Sequence, residues 1–359
     1  MREHVLNLVR LLDRRQYQVF VACPAEQKLN AVFWEIGAEV FPVEIGDGVK
    51  PRHDLTAVHD LRKIITRQQI QVVHAHGAKA GILGRLAARG SGALLVVTDH
   101  NFLSGSARPL WQRNFYFLVN RLLDSHTSAH IAVSRAMAMD LQNSFRIPPH
   151  KVATIPNGID LSRFNVINEL KRARQQLGLP PDGPVVGTVS RLVYEKGIDL
   201  FLRAAREIQQ VMPQVSYLII GDGPQLRELK ELAQALELKK VVFAGARQDV
   251  PKLLPLLSVY VAPSRQEGLS VAVLEALASR RAVAAFEVGG LPELVRTGAT
   301  GILVHPGDYR QLAMAVVRLL NNPSYARRLG ENGRLLVERE YRIEDMVART
   351  SALYQSLLR

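Results

Sequence analysis

Short β-branched runs alternate with longer helical patterns along the whole chain. Before residue 160 these runs are "YQVFVAC", "EVFPVEI", "VVHAH", "LLVVTDH", "HIAVS" and "VATIPNG". After it come "PVVGTVS", "VSYLIIG", "KVVFAG", "VYVAPS", "AVAAFEV" and "GILVHP". Continuous apolar runs ending in Gly, His, Asp or Ser predict parallel strands buried on both faces, with helices as crossovers. The fold class is therefore α/β, with two doubly wound parallel sheets. Ligands of such sheets bind beyond the carboxyl ends of the strands. His76, His100, Ser134, Asn157, Arg191, Gly221, Gly245 and Ser264 all fall at or just past such an end.

The polar segment "NGIDLSRFNVINELKRARQQLGLPPDGP" carries turn signals at both ends and separates the halves. The expected domains are residues 1–164 and 165–342, with a helical tail at 343–359 packing back on the first domain. The front end departs from the pattern. "HVLNLVRLL" reads as a helix, yet the strand and glycine turn that ordinarily feed such a helix do not precede it. Either the natural start lies upstream or the domain does without that strand.

Length agrees with two domains, since 359 residues suffice for two cores of ordinary size. No apolar run approaches the roughly 18 residues of a membrane-spanning helix. The charged, amphipathic start is a poor secretion signal. A single cysteine, Cys23, excludes an intrachain disulfide and a cysteine-rich metal site. A cytoplasmic location is expected. The net charge of +13 is spread over both halves and favours anionic partners: nucleic acid, phosphorylated metabolites or an acidic lipid surface.

Two stretches carry candidate chemistry. In "GTVSRLVYEKGIDL", Arg191 and Lys196 follow a buried strand, and Gly197 opens the next helix. Two cations there can hold a diphosphate, although an ordinary surface turn has the same pattern. In "SRQEGLSVAVLEALA", Glu267 precedes a helix predicted to begin near Leu269 or Ser270, and Glu275 lies two turns on. The free N–H groups of that helix end form an anion site, and eight residues span roughly 12 Å of helix, the length of an extended nucleotide sugar. On the spacing alone, a solvated helix is the simpler explanation of the two glutamates. "GDGPQLREL" reads as a tight strand-to-helix turn, because it lacks the third glycine of a dinucleotide fingerprint.

Taken together, "VVHAHGAKAGILGRLAAR", "TDHN", "IAVSRAM", "IPNGID", "SRLVYEKG", "GDGPQLREL", "APSRQEGLSVAVLEALA" and "VGGLPELV" resemble the retaining glycosyltransferases of family 4. The resemblance runs from Arg2 to the C-terminus, and its most specific part is the E-x7-E motif of Glu267 and Glu275. It implies the GT-B fold, two Rossmann-like domains facing across a cleft. It assigns Arg191 and Lys196 to the leaving diphosphate, and Glu267 to the donor sugar and its positive transition state. Gly268, Leu269 and Ser270 would offer backbone donors, and Glu275 would hold the ribose hydroxyls. His100 would be the acceptor-side catalytic histidine, with His76 in the neighbouring loop. Family members ordinarily open with a strand and a Gly-Gly loop that this sequence lacks.

No metal and no cofactor is expected. No D-x-D triplet occurs, and Arg191, Lys196 and the helix end can supply the charge stabilisation a metal would give. Front-face attack also dispenses with the carboxylate pair of a retaining hydrolase, whose groups lie about 5–5.5 Å apart. The implied activity is transfer of a hexose from a nucleotide diphosphate sugar, a UDP-sugar before GDP-mannose, to a glycan or lipid-linked acceptor. Two alternatives share these features: an epimerase, which needs no acceptor, and a sugar-nucleotide-binding protein without turnover, suggested by the missing strand. Nucleic acid is not expected, because no recognition motif accompanies the charge. "RPLWQRNFYFLVNRLL", residues 108–123, mixes four aromatics with arginines and fits either core packing or an anionic membrane surface on the inner face of the cell membrane.

Overall fold

The computed structural model describes residues 2–46, 48, 50–100, 102, 110–164 and 170–359. Each of the twelve predicted runs coincides with a strand, β5 alone beginning one residue before its run. In the first half these are β1 (Phe20–Cys23), β2 (Glu39–Pro42), β3 (Val72–His76), β4 (Leu94–Asp99), β5 (Ala129–Ala132) and β6 (Val152–Thr154). In the second they are β7 (Val185–Val189), β8 (Ser216–Ile220), β9 (Val241–Phe243), β10 (Val259–Ala262), β11 (Ala282–Phe286) and β12 (Gly301–Val304).

The chain divides into two compact units, Met1–Gly158 with Ile343–Arg359, and Ile159–Arg342. The boundary therefore precedes Ile159 rather than following Phe164 as the sequence suggested. The reason is long-range bonding: Ile159 N–H donates to Tyr341 O at 3.0 Å and bridges to Arg342. Phe164 is buried, in a 3-10 turn packed on the second unit's helices Val250–Leu253 and Val271–Ala278. Residues 165–169 lie outside the described residues.

In the second unit six parallel strands run in the order β12-β11-β10-β7-β8-β9, which puts β7 at the centre. Every residue of β8, β10 and β11 is buried, because helices cover both faces. The helix Ile198–Val211 shows how the cover is built. Its buried Ile198, Phe201, Leu202, Ala205 and Ile208 recur at helical spacing and join Val186, Tyr217 and Val259 in one core. Full burial of each large apolar side chain is worth about 1.5–3 kcal/mol. Because β7 and β10 are parallel neighbours, the loops leaving their carboxyl ends are brought side by side.

The first unit contains two parallel sheets, β1-β2 and β3-β4-β5-β6. Among the described residues no strand joins them, in contrast to the place β7 holds between β8 and β10. The helix Arg2–Leu11 bridges both: Val9 packs with Val21 and Val40 of β1 and β2, while Leu8 joins Val96 and Ile131 of the larger sheet. The same cluster takes in Ile343, Met346 and Tyr354 of the last helix, Ile343–Leu358, so the C-terminal segment packs within this unit.

A buried polar network ties the crossovers of β4 and β5 together. His130 bonds to Asp99 Oδ2 at 3.2 Å and to Asp124 Oδ1 at 3.0 Å. Lys151 Nζ donates to Asp124, and the fully buried Arg85 donates to Thr127 and Asn120. Burial alone would lower the His130 pKa, and Arg85 opposes its charge, but the bonds to Asp124 and Asp99 outweigh both and raise it. A raised histidine pKa stabilises the fold fully below the unfolded value, near 6.5, and that contribution fades as pH climbs through the folded value. Thermal melts between pH 5 and pH 9 should therefore show the advantage of wild type over His130→Gln largest near pH 5 and fading as pH rises above about 6.5. An advantage that grows toward high pH would contradict this.

Candidate active site

The loop after β7 places Lys196 by a change of helical hand. Tyr194–Lys196 forms a 3-10 turn, and Gly197 then takes φ +64° before the helix Ile198–Val211 begins. A side chain is excluded there on two grounds: the left-handed backbone, and a Cβ that would meet Pro263 O at 2.0 Å. Pro263 belongs to the loop after β10, so the two loops touch backbone to backbone. Arg265 fastens them. Its guanidinium donates to both oxygens of Asp199 at 2.7 and 2.6 Å and to Tyr194 O at 2.9 Å, and lies 4.2 Å from the Tyr194 ring centre. Its own N–H donates to Glu195 O at 2.8 Å.

This fastening brings Lys196 to Glu267. Lys196 Nζ donates to both carboxylate oxygens, at 2.8 and 2.7 Å, and Ser264 Oγ donates to Oε2 at 3.1 Å. Glu267 is 8 % exposed, so the carboxylate is held by partners rather than by water. Its backbone is fixed as well, because Gly290 N–H donates to Glu267 O at 3.0 Å. Arg191 sits just past β7 with an exposed side chain that makes no ion pair among the described residues.

The helix that follows, Val271–Ala278, starts one or two residues later than the sequence suggested, with Ser270 as its cap. Ser270 Oγ accepts from Val273 N–H and so caps the helix. Glu275 is consequently a little over one turn into the helix, half-buried, and Glu267 lies outside it. Both carboxylates are felt at one buried group, the Tyr260 hydroxyl, which donates to Val189 O at 3.2 Å. Burial raises that phenol's pKa first, and the charges of Glu267 and Glu275 raise it further. Gly268 and Leu269 are buried between the pair and the cap. The Gly221–Gly223 turn closes on the β7 loop: a Cβ at Gly221 would meet Ser190 O at 1.8 Å, and Leu192 N–H donates to Asp222 O. It is a strand-to-helix turn, as read from the sequence.

The two histidines singled out in the sequence belong to the first unit and lie together. His76 closes β3, His100 follows β4, and His76 Nδ1 is 3.3 Å from His100 Nε2. Burial chiefly pushes both pKa values well below the ordinary histidine value, so both rings are neutral. Sequence reasoning did not assign roles to Asp199, Ser264 or Arg265, nor to His4, whose ring stands edge-on to His76 and His100. Arg265 and Ser264 sit inside the motif that holds Glu267, which was the one available signal.

Residues 1–163 match the family described as Glycosyltransferase Family 4, and residues 170–336 match Glycosyl transferases group 1. A GDP-mannose-dependent alpha-(1-6)-phosphatidylinositol monomannoside mannosyltransferase of Mycolicibacterium smegmatis is 30% identical over 292 residues, covering 78% of this chain and 75% of the relative. The UDP-Gal:alpha-D-GlcNAc-diphosphoundecaprenol alpha-1,3-galactosyltransferase of Escherichia coli is 28% identical over 323 residues, covering 88% and 84%. Among solved structures, HepE of Anabaena in complex with UDP and glucose superposes with a TM-score of 0.85 at 22% identity, covering 99% of this chain and 95% of that one. Two Rossmann-like units, the glutamate pair in its motif and these matches agree: the chain belongs to glycosyltransferase family 4 and has the GT-B fold.

Proposed function

We propose that the enzyme moves a hexose from a nucleotide diphosphate sugar, a UDP-sugar before GDP-mannose, to a hydroxyl of a glycan or lipid-linked acceptor. Transfer retains the anomeric configuration and needs no metal. The observation that carries this reading is the Lys196–Glu267 pair beside the capped end of Val271–Ala278. The arrangement puts a cation, an anion and a helix N-terminus at one place, as a substrate with a diphosphate and a sugar requires. Lys196 and the exposed Arg191 neutralise the diphosphate, and an arriving phosphate competes with Glu267 for the Lys196 ammonium. Glu267, freed of part of that pairing, faces the sugar as positive charge grows at its anomeric carbon. Glu275 holds the ribose hydroxyls. His100, with His76 beside it, orients the acceptor.

The bond from the anomeric carbon to the phosphate oxygen breaks, and the acceptor oxygen bonds to that carbon on the same face. The acceptor proton passes to an oxygen of the departing diphosphate. The names of the relatives support the substrate class: one uses UDP-galactose and a diphospholipid-linked sugar, another GDP-mannose and a phosphatidylinositol mannoside. The structural neighbour binds UDP and glucose.

With EDTA present, UDP at about 100 times its Kd should stabilise the protein by about 2.7 kcal/mol in thermal melts. Product analysis by NMR should show the donor's anomeric configuration kept, and Glu267→Ala should lower kcat/KM about 10²–10³-fold. Inversion, or turnover that EDTA abolishes, overturns the reading.

We also propose that the enzyme works at an anionic membrane surface, on the inner face of the cell membrane. No helix among the described residues is long and apolar enough to cross a membrane. The helix Leu110–Leu123 offers a surface instead: Phe117 packs on Phe145 and Asn120 accepts from Arg85, while Leu118, Arg121 and Leu122 face outward. Leu118 and Leu122 are 54% and 66% exposed, one turn apart. Arg108 and Pro109 of the stretch named from the sequence lie outside the described residues. The double substitution Leu118→Asp with Leu122→Asp should weaken sedimentation with phosphatidylglycerol vesicles about tenfold, or roughly 1.4 kcal/mol. Equal sedimentation of variant and wild type would rule this surface out.

A further inference from the structure

Three imidazoles from three separate elements converge in the first unit. His4 comes from the helix Arg2–Leu11, His76 from the end of β3, and His100 from just past β4. One ring nitrogen from each lies within 4.8 Å of the others. The ring centres of His4 are 5.3 Å from His76 and 5.0 Å from His100, in edge-on contact.

The spacing of the nitrogens also fits an ion. His76 Nδ1 and His100 Nε2 are 3.3 Å apart, in hydrogen-bond contact with each other. Two nitrogens on a tetrahedral ion, each about 2.0–2.1 Å from it, are separated by about 3.3–3.4 Å. His4 supplies the second observation. It is 6% exposed, and its Nε2 has no hydrogen-bond partner among the described residues. Its Nδ1 meets Asn157 Oδ1 at 3.1 Å, which makes Nδ1 the protonated nitrogen and leaves the lone pair on Nε2. A neighbouring histidine shows the contrast. Both nitrogens of His74 are engaged, by Tyr354 Oη and Thr98 Oγ1, so its ring only buttresses His76 at 4.2 Å. Burial favours the neutral, ligating form of all three rings, lowering His4 to about 4 and the other two well below the ordinary value.

We propose that His4, His76 and His100 form a binding site for a divalent transition cation, Zn2+ fitting best, with a fourth position open to water. An all-imidazole set suits zinc and excludes magnesium and calcium, which take oxygen ligands. Asn157 is the positioning residue that orients His4. None of these four residues is among the donor-site groups of the second unit, so the transfer step is not routed through this ion. Occupancy would tie up the lone pairs of His76 and His100, and bound zinc should therefore slow transfer. That consequence rests on the acceptor-side reading given above; the binding does not.

The test uses the full chain, stripped with a chelator and titrated with Zn2+ by calorimetry. X-ray absorption of the loaded wild type reports the ligands. One Zn2+ per chain is expected, with three imidazole nitrogens. His4→Gln should weaken binding by about 100-fold and Asn157→Ala by about 10–100-fold, with UDP affinity unchanged in both. Loss of UDP binding by wild type would instead count against the donor-site reading and leave the zinc result standing. Absence of saturable binding at millimolar Zn2+, fewer than three imidazole ligands in the wild type, or equal affinity in a folded His4→Gln variant would overturn the proposal. If either variant fails to fold, the wild-type ligand count decides.

Discussion

Arg265 and Asp199 join through two short hydrogen bonds of 2.7 and 2.6 Å, and the meeting of Lys196 with Glu267 depends on that pair. Two strands of a parallel sheet can deliver their loops to the same edge, but strand pairing ends at Tyr260–Gly187, well short of the site. Beyond it the loops must be held by their own contacts. The bidentate pair supplies two charge-assisted bonds in a fixed plane. Gly197 lets the β7 loop approach Pro263 closely enough for that plane to be reached. Lys196 and Glu267 then meet without a search, since each is one residue or two from a clamped position.

The charges so assembled are costly to bury, and this gives the site its character. Glu267 is nearly enclosed, and Lys196 and Ser264 both donate to its carboxylate there. Such a pair contributes little to stability compared with an apolar substitute. On the proposed reading, its value is that a lysine and a carboxylate wait, oriented, for the diphosphate and the sugar of the donor. The first unit uses a different solution for buried charge: His130 is held between Asp99 and Asp124, and Arg85 donates to the neutral Thr127 and Asn120.

The strands were legible because parallel sheets covered on both faces demand unbroken apolar runs, and each of the twelve runs falls on one. The domain boundary was misplaced because a polar, turn-rich segment shows where order weakens, not which core it joins. Tyr341 and the helices over Phe164 decide that, and they are remote in sequence. Glu267, Glu275, Arg191 and Lys196 could be picked out because they fall at strand ends and inside one ordered set of motifs. The Arg265–Asp199 clamp spans 66 positions and has no local signature. His4 was hidden for a similar reason, being one polar position in an amphipathic helix whose partners arrive from β3 and β4.

If Lys196 is the diphosphate cation and Glu267 its resident counter-ion, their effects on nucleotide binding have opposite signs. The direct measurement is UDP affinity by calorimetry for Lys196→Ala, Glu267→Gln and the double variant, each first verified as folded. The account predicts that Glu267→Gln binds UDP at least as tightly as wild type, because the competing charge is gone. Lys196→Ala should lose about tenfold or more, and the double variant should follow it. UDP affinity unchanged in Lys196→Ala, or lost in Glu267→Gln alone, would contradict the assignment of this pair.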